Sequence, residues 1–264
     1  MIVTPIRAVA FDMGGTLEDI YYDDASRLEA TRGLRALLID RGLDPGLPLP
    51  DLQATVLSGM KSYQEWREKS EIELPPERVW AEYVFPNHCW PRERPQEWDL
   101  RMVAAAEEIS QFYENHFHVR SLRPEAPEAL AALHERGFRL AIISNIISRH
   151  IVRQNLVAHG VAHYFDPVVT SAGFGWRKPN ASIFLEAARL MGLPPAACAY
   201  VGDTVSRDVI GARRAGYGLV IQIKSFLTDK ADRGTVSVPP DAVIHDLRQI
   251  INLVTPNTET LHDN

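Results

Sequence analysis

The chain has 264 residues, 45% of them hydrophobic and 23% charged, with a formal net charge of −6 at pH 7. This length suffices for a core domain and a smaller second one, the composition is that of an ordinary globular enzyme, and no apolar run reaches membrane-spanning length. The lysines and arginines form no basic stripe and the N-terminus has no secretory signal pattern, so we expect neither nucleic acid nor a membrane as partner, and a cytoplasmic location.

The first predicted element is an apolar strand over Arg7–Phe11, which is followed by Asp12 and the turn Met13-Gly14-Gly15-Thr16. An acidic side chain at the carboxyl end of a buried strand lies where open α/β sheets bind ligands. The glycines allow backbone N–H groups to approach an anion closely. Asp12 is therefore a candidate reactive carboxylate, although an aspartate before a glycine turn is also ordinary turn chemistry.

The stretch from Asp19 to Arg120 is predicted to be almost entirely helical, because apolar residues recur at spacings of three and four. The pattern is present in Leu28, Leu34, Leu37 and Leu38, and again in Met102, Ala105, Ile109, Phe112 and Tyr113. Glu18 and Asp19 are expected to be a solvated pair that starts a helix. This helical stretch separates the first strand from the rest of the sheet.

After Ser121 strands and helices alternate, which predicts a doubly wound parallel sheet of the α/β class. The predicted strands cover 138–143, 168–170, 198–202 and 218–223, with a short edge strand at 242–244. The predicted helices cover 125–136, 151–159, 182–191, 207–215 and 247–253. The polar tail after Thr255 is expected to be frayed.

Polar groups follow the strands of this sheet. Ser144 and Asn145 come directly after the strand at 138–143 and supply a hydroxyl and an amide. Lys178 precedes Pro179, a residue suited to the first turn of a helix, and supplies a cation for a phosphate.

Asp203 and Asp208 follow the strand at 198–202, and their oxygens are ligands that suit Mg²⁺. Together with Asp12 they would place three carboxylates in one crevice with Lys178 as the cation. Mutual repulsion would raise their pKa values, whereas a bound Mg²⁺ would satisfy them. In the alternative interpretation, Asp208 only caps a helix and Asp203 is an exposed turn residue.

In the order Asp, Ser, Lys and Asp-x4-Asp, these elements resemble motifs one to four of the haloacid dehalogenase (HAD) superfamily. The resemblance covers Arg7–Leu17 and about residues 122–247. It implies a HAD-like, Rossmann-type α/β core over residues 1–18 and 121–264. Residues 19–120 would then be the α-helical cap domain of the class inserted after motif one.

The resemblance also implies roles for the motif residues. Asp12 would be the nucleophile of a phosphohydrolase and would form an aspartyl-phosphate. Asp12, Asp203 and the backbone carbonyl of Gly14 would hold Mg²⁺, with Asp208 orienting the water shell of the metal.

The other motif residues are implied to contact the phosphoryl group of a small phosphorylated substrate. Ser144 and the turn amides would donate hydrogen bonds to its oxygens, with help from Asn145. Lys178 would neutralise the charge that develops during transfer. Thr16 would serve as a hydroxyl of the phosphate-binding turn.

Gly14 departs from the family pattern, because HAD phosphatases usually carry a second aspartate there. That aspartate protonates the leaving oxygen and then activates water, which is worth about 10²–10⁴ in rate. Three interpretations stay open: a phosphatase with a good leaving group or an acid from elsewhere, a phosphonate hydrolase, or a silent protein that binds a phosphorylated ligand. A phosphonoacetaldehyde-type phosphonate hydrolase would need a cap lysine, for which Lys61 is the candidate and Lys69 the other choice. The dehalogenase branch fits less well, because it works without metal.

Five residues are candidates for a replacement acid: Glu18, Asp19, His88, His116 and His118. His116 and His118 lie two residues apart, so on a helix they diverge and are expected at the surface or a hinge. His88 lies in a loop rich in proline and tryptophan that is suited to face a substrate. Cys89 and Cys198 are too isolated to indicate a disulfide framework or a zinc site, and Cys198 is expected to be buried.

Overall fold

The structure, a computed structural model, describes residues 5–86, 97–225, 232 and 238–254. Within these residues the strands are β1 (Ala8–Phe11), β2 (Glu18–Tyr21), β3 (Val119–Leu122), β4 (Arg139–Ser144), β5 (Phe165–Thr170), β6 (Cys198–Gly202), β7 (Leu219–Ile223) and β8 (Ala242–Ile244). Six of them form a parallel sheet in the order β5-β4-β1-β6-β7-β8. The predicted parallel α/β sheet, including its short edge strand, is confirmed.

The central position of β1 follows from its composition, because a strand that is apolar on both faces needs cover on both sides. All four residues of β1 are buried. Phe11 lies opposite Ile142 of β4 and Val201 of β6, so the strands end at one edge of the sheet. The residues that follow these three strands are therefore brought together.

Helices cover both faces of the sheet. The described residues form α1 (Asp24–Asp40), α2 (Leu49–Ser70), α3 (Pro76–Arg78), α4 (Trp98–His116), α5 (Ala126–Glu135), α6 (Ile151–Ala158), α7 (Ser171–Phe174), α8 (Ala181–Leu190), α9 (Ile210–Arg214) and α10 (Ile250–Leu253). One apolar cluster joins the sheet to α5, α6 and α10, and another joins it to α8 and α9. This is the predicted doubly wound arrangement.

The helices α1, α2 and α4, here called the cap helices, have an apolar cluster of their own that includes Leu34, Val56 and Trp98. Buried Trp80 also belongs to it, and its Nε1 donates to Ser110 Oγ at 2.8 Å. The exact division of the chain after residues 18 and 120 stays a prediction. No helix of the described ranges combines the length and the apolar character needed to cross a membrane.

The ends of the predicted helical stretch are strands instead. β2 and β3 form an antiparallel ribbon in which Glu18 lies opposite Leu122 and Tyr21 opposite Val119. The side chain of Glu18 is fully buried, so the expectation of a solvated, helix-starting Glu18 is wrong. A buried acidic residue is stable only when it is paired, and the partner of Glu18 is Arg120, which lies 102 residues further along the chain.

Two helix starts also differ from the prediction. Pro179 precedes Asn180, whose side chain caps α8 at Ser182 N, so the proline lies before the helix rather than in its first turn. The helix predicted over 207–215 begins as a π-helical turn at Val205–Val209 and continues as α9. Two further predictions, for His88 and Cys89, lie outside the described residues.

The segment after α2 is joined to the core by backbone hydrogen bonds. Glu73 N donates to Gly175 O at 2.9 Å, and Arg177 N donates to Glu71 O at 3.0 Å. Ile72 and Trp176 form an antiparallel bridge between these two bonds. The cap helices are therefore held against the core at a second place besides the ribbon.

Glu107 of α4 makes a third connection, since it accepts hydrogen bonds from Ser148 Oγ at 2.6 Å, Arg149 N at 3.0 Å and His150 N at 3.2 Å. Burial raises the pKa of Glu107, but these hydrogen bonds outweigh it and hold the pKa below its usual value. Because the folded pKa is depressed, the stability is present near neutral pH and is lost as the pH falls through the folded pKa.

We expect Glu107→Ala to lower the free energy of unfolding by about 1–3 kcal/mol at neutral pH, because buried donors lose their acceptor. The difference from wild type should shrink at acid pH, and urea unfolding at both pH values measures it. Glu108→Ala is the control on the same helix, because Glu108 pairs with Arg41 at the surface. An equal effect of both substitutions would contradict this prediction.

Candidate active site

Three carboxylates meet at the edge where β1 and β6 end. Asp12 follows β1, Asp203 follows β6, and Asp208 lies in the π-helical turn; all three are buried. One ligand atom from each lies within 4.8 Å of the others. The alternative interpretation of Asp203 as an exposed turn residue is therefore wrong.

Lys178 joins two of these carboxylates. Its Nζ lies 2.7 Å from Asp12 Oδ1 and 2.7 Å from Asp208 Oδ1, and it also donates to Tyr200 Oη at 2.9 Å. Asn145 fixes the backbone of Lys178, because its Oδ1 accepts from Lys178 N at 2.8 Å and its Nδ2 donates to Lys178 O at 2.9 Å. Asn145 thus positions the lysine, and its expected direct contact with phosphate stays a prediction.

The carboxylate cluster has too little positive charge around it. Burial raises the pKa of Asp12, and the charge of Asp208 adds to this effect against the opposing charge of Lys178. Burial raises the pKa of Asp203 to about 7, helped by repulsion from Asp208 and Asp12. Burial also opposes ionisation of Asp208, but Lys178, Arg207 and hydrogen bonds outweigh it and lower its pKa.

The carboxylate oxygens of Asp203 and Asp208 differ in their hydrogen-bond partners. Asp203 Oδ2 accepts from Ser225 Oγ at 2.7 Å, whereas the buried Oδ1 has no hydrogen-bond partner. Asp208 accepts from Tyr200 Oη at 2.8 Å and from Thr204 N and Oγ1 at 3.0 and 2.6 Å. A buried carboxylate oxygen without a donor, beside two more carboxylates, fits a divalent cation. Asp203 and Asp12 are suited to hold it, while Asp208 organises the surrounding side chains.

Gly15 allows this cluster to form. Its φ is +85°, which favours glycine, and a Cβ on Gly15 would collide with the carboxylate of Asp203. Two hydroxyls expected at the phosphate are also buried: Thr16 Oγ1 has no hydrogen-bond partner, and Ser144 ends β4 beside β1. Their roles, and that of the Gly14 carbonyl, stay predictions.

The space beside Gly14 is occupied by other side chains. A Cβ built on Gly14 would lie 2.7 Å from Ile20 Cδ1 and 3.2 Å from Arg120 Nη1. Gly14 is not among the residues with positive φ, so its backbone conformation admits a side chain. Arg120 is held there by Glu18 at 3.1 Å and Glu114 at 2.8 Å. A guanidinium therefore lies where HAD phosphatases usually have a carboxylate.

The acidic candidates for a replacement acid are already engaged. Glu18 pairs with Arg120 and accepts from Asn155 Nδ2 at 3.3 Å, and its Oε1 lies 2.9 Å from His159 Nε2. Asp19 lies 3.3 Å from Arg123 Nε, with more than half of its side chain exposed.

The two histidine candidates in the described ranges differ. His116 is exposed and stacks on Phe112 with ring centroids 4.0 Å apart. His118 is partly buried, lies between α4 and β3, and lines the cavity described next. Burial lowers the pKa of His118 to about 4, and the charge of Arg120 contributes against the opposing effect of Glu114. Its imidazole is neutral near pH 7 and is a poor proton donor.

A cavity of about 830 Å³ lies between the cap helices and the strand ends. Seven cationic side chains line it: Arg27, Lys61, Arg67, Arg120, Arg177, Lys178 and Arg207. Among the described residues only two carboxylates line it, Glu68 and Glu114. Lys61 is exposed at this cavity, and Lys69 is not among its lining residues.

Sequence reasoning missed most of these arginines. Arg177 and Arg207 adjoin motif residues, so their position beside Lys178 and Asp208 was the available signal. Arg27 and Arg67 lie on the cap helices, whose packing direction is not encoded in local spacing.

Comparisons with known proteins identify the family of this chain. The sequence profile of the haloacid dehalogenase-like hydrolase family matches residues 6–216. A glyceraldehyde 3-phosphate phosphatase of Methanopyrus kandleri is 30% identical over 251 residues, which cover 94% of this chain and 97% of that protein. A phosphoserine phosphatase of Thermus thermophilus is 33% identical over 186 residues, 66% of this chain and 72% of that protein. The crystal structure of a 2-haloacid dehalogenase from Pseudomonas syringae shares the fold, with a TM-score of 0.61, 23% identity, and coverage of 94% and 97%.

We expect Mg²⁺ to raise the Tm of the wild-type protein, because a ligand of the folded state at 100 times its Kd stabilises by about 2.7 kcal/mol. Asp203→Asn should abolish the shift, since it removes the charge beside the unpartnered oxygen. Glu135→Gln, exposed on α5, should keep it. Thermal unfolding with Mg²⁺ and with chelator measures the effect. A wild-type Tm that changes with neither Mg²⁺ nor chelator would contradict the metal site.

Proposed function

Because the chain belongs to the haloacid dehalogenase-like hydrolases, we propose that it is a Mg²⁺-dependent phosphohydrolase that acts on a small phosphorylated metabolite through Asp12. The observation that carries the proposal is the buried cluster of Asp12, Asp203 and Asp208 around Lys178, beneath a cavity lined by cations. The two phosphatase relatives act on small phosphorylated compounds by name, which supports this substrate class. Residues 19–120 would serve as the cap.

Asp12 is the proposed nucleophile. Its carboxylate oxygen forms a bond to phosphorus while the bond from phosphorus to the leaving oxygen breaks, and the leaving oxygen keeps the bonding electrons. Water then attacks the aspartyl-phosphate, which releases inorganic phosphate and restores Asp12. Lys178 keeps Asp12 oriented and offsets the negative charge of the transferred group.

Asp12, Asp203 and the Gly14 carbonyl would hold Mg²⁺, which when bound supplies positive charge to the nucleophile and the phosphoryl oxygens. Ser144 and Thr16 would donate hydrogen bonds to the phosphoryl group. The cap helices and the ribbon would exclude bulk water from the cavity, which strengthens each of these interactions.

The guanidinium of Arg120 beside Gly14 changes what the site offers to the leaving oxygen. A guanidinium stabilises negative charge but remains protonated, so it neither donates its proton readily nor serves as a base. The proposed enzyme therefore favours leaving groups that depart as anions, such as acyl or aryl oxygens.

The phosphonate hydrolase interpretation is supported by one observation, that Lys61 lines the cavity. Lys61 is exposed, however, whereas an amine that forms a Schiff base is usually activated by desolvation or a neighbouring cation. A screen of phosphomonoesters, acyl phosphates and phosphonates with and without Mg²⁺ separates the two reactions.

We expect Asp12→Asn to abolish phosphate release, because the amide has nearly the same shape but is not a nucleophile. Release of inorganic phosphate from an aryl phosphate measures this. Asp51→Asn, an exposed position on α2, is the matched control and should retain activity. Turnover by Asp12→Asn near the wild-type rate would remove Asp12 from the mechanism.

We expect the wild-type rate to depend steeply on the acidity of the leaving group, because no carboxylic acid stands at position 14. Gly14→Asp alone must displace Ile20 Cδ1, so the test is made in an Ile20→Val background, which lacks that atom. The double variant should hydrolyse alkyl phosphates faster than Ile20→Val by up to about 10²-fold. The nearby charge of Arg120 limits the gain, because it lowers the pKa of the new carboxyl group.

Gly14→Asn in the same Ile20→Val background is the control, since an amide of the same size transfers no proton in this way. The rates for a series of aryl and alkyl phosphates give the dependence on leaving-group acidity. A flat dependence in the wild-type protein would mean that another residue supplies the proton, contrary to this prediction.

A further inference from the structure

Buried polar side-chain atoms without a hydrogen-bond partner concentrate around the cavity and the carboxylates below it. Within the described ranges these atoms are Thr16 Oγ1, Arg27 Nε, Arg67 Nε, His118 Nδ1, Arg123 Nε and Asp203 Oδ1. Thr16 and Asp203 belong to the catalytic side. Arg27, Arg67 and His118 line the cavity from the cap side and the ribbon end. Buried polar groups normally have partners, so both groups of atoms point to ligand atoms.

Two guanidinium groups share one carboxylate on this side. Glu73 lies 3.4 Å from Arg67 Nη1 and 3.2 Å from Arg177 Nη1, and it also accepts from Tyr63 Oη at 2.5 Å and Ser171 Oγ at 2.8 Å. Burial lowers the pKa of Arg177 to about 9, and the charge of Arg67 contributes. Glu73 is therefore the carboxylate that Arg67 and Arg177 share, and the charge of Glu114 also acts on Arg67.

Arg27 adds another positive charge at this cavity. Its guanidinium lies over the ring of Tyr22 at 4.0 Å, and it forms no ion pair with a carboxylate of the described residues. Arg120 is paired with two carboxylates, Glu18 and Glu114, and the extra negative charge offsets one of these positive charges. The guanidinium groups of Arg27, Arg67, Arg120 and Arg177 thus exceed the carboxylates paired with them by one charge. The remaining carboxylate at the cavity, Glu68, is exposed, so water and salt screen its charge.

His118 lines the same cavity as Arg27, Arg67 and Arg120. Besides burial, the charges of Arg120, Arg27 and Arg67 all lower its pKa, against the opposing effect of Glu114. The imidazole, the two unpartnered Nε atoms and the excess positive charge therefore belong to one region of the cavity wall. Partly buried cations of this kind are stabilised when an anion joins them.

We propose that Arg27 and Arg67 form a second anion-binding subsite, so that the preferred substrate is a phosphomonoester with a further anionic group. This inference rests on the proposed function, which places the transferred phosphoryl group at Asp12. Arginine binds carboxylates and phosphates through paired N–H groups, so the further group is a carboxylate or a second phosphate. His118 Nδ1 supplies another polar contact, and a cavity of about 830 Å³ has room for a small metabolite.

The test compares substrates that differ only in the second charge. One pair is 2-phosphoglycolate and ethyl phosphate, and the other is ethylene glycol bisphosphate and 2-hydroxyethyl phosphate. All four are alkyl phosphates, which this site is expected to hydrolyse slowly, so their rates are measured at high enzyme concentration. We expect kcat/KM to favour the doubly anionic member of at least one pair by about 10- to 100-fold, the effect of hydrogen bonds to a charged group. Which pair shows the larger ratio identifies the anionic group as carboxylate or phosphate.

Substitutions then assign the preference to the subsite. Arg27→Met and Arg67→Met should bring the kcat/KM ratio of the doubly to the singly anionic substrate close to one. Arg27→Lys should retain part of the preference, because it keeps the positive charge. Arg32→Met is the control on α1, since Arg32 is exposed and pairs with Glu29. Glu73 keeps Arg177 as a partner when Arg67 is removed, and Tm values check that each variant is folded.

A binding measurement separates this inference from the proposed function. Calorimetry compares phosphonoacetate with ethylphosphonate, neither of which offers a phosphoester bond. Tighter, Arg27-dependent binding of phosphonoacetate without turnover of any phosphomonoester would support the subsite and overturn the hydrolase. The opposite result is turnover with kcat/KM ratios near one in both substrate pairs and no change on Arg27→Met. It would overturn the subsite and leave the proposed hydrolase function unaffected.

Discussion

The burial of three carboxylates around one lysine is the constraint on which the rest of the site depends. Taking like charges out of water is expensive, and the single ammonium group of Lys178 compensates only part of it. The sheet order brings the cluster together, because β1 and β6 are neighbours and each is followed directly by an aspartate. Asn145 and the turn after β6 then fix Lys178 and Asp208, which leaves Asp203 with an unpartnered oxygen. With the proposed ligands bound, a divalent cation would compensate the carboxylates and an anion would compensate the arginines on the cap side of the cavity.

The cap side of the cavity has an excess of positive charge, which complements the negative charge of the carboxylates below. Its position relative to the carboxylates is set by direct bonds: Glu73 reaches Arg177 of the core, and backbone hydrogen bonds join the segment after α2 to residues 175–177. Anions bound by Arg27 and Arg67 would therefore stand at a defined distance from Asp12. The interaction energy between two charges decreases with their distance and with solvent screening. Such a site would therefore select substrates by the spacing of their anionic groups as well as by their number.

The residues that the sequence pattern identified share one property: each is marked by the residues next to it in the chain. Asp12, Ser144 and Asp203 each follow a short apolar run, and a buried parallel strand fixes where its next residue lies. The ribbon of β2 and β3 lacked such a signal, since Glu18 and Asp19 are unfavourable strand residues and their pairing partners lie about a hundred residues away. Arg27 and Arg67 were missed for a related reason: helical spacing groups residues on a face but does not say what that face meets.

Fold likeness alone does not choose the reaction in this case. The dehalogenase structure shares the fold at 23% identity, and the same architecture also carries phosphatase sites. The choice is made by the charges that surround Asp12. Asp203 and Asp208 add buried negative charge that a metal-free reaction would have to tolerate, and burial and repulsion already raise the pKa of Asp203 to about 7. Retaining such a cluster is favourable when a divalent cation joins it, which is the setting of phosphoryl transfer. In the proposed mechanism the guanidinium beside Gly14 would alter the leaving-group step without altering the nucleophile.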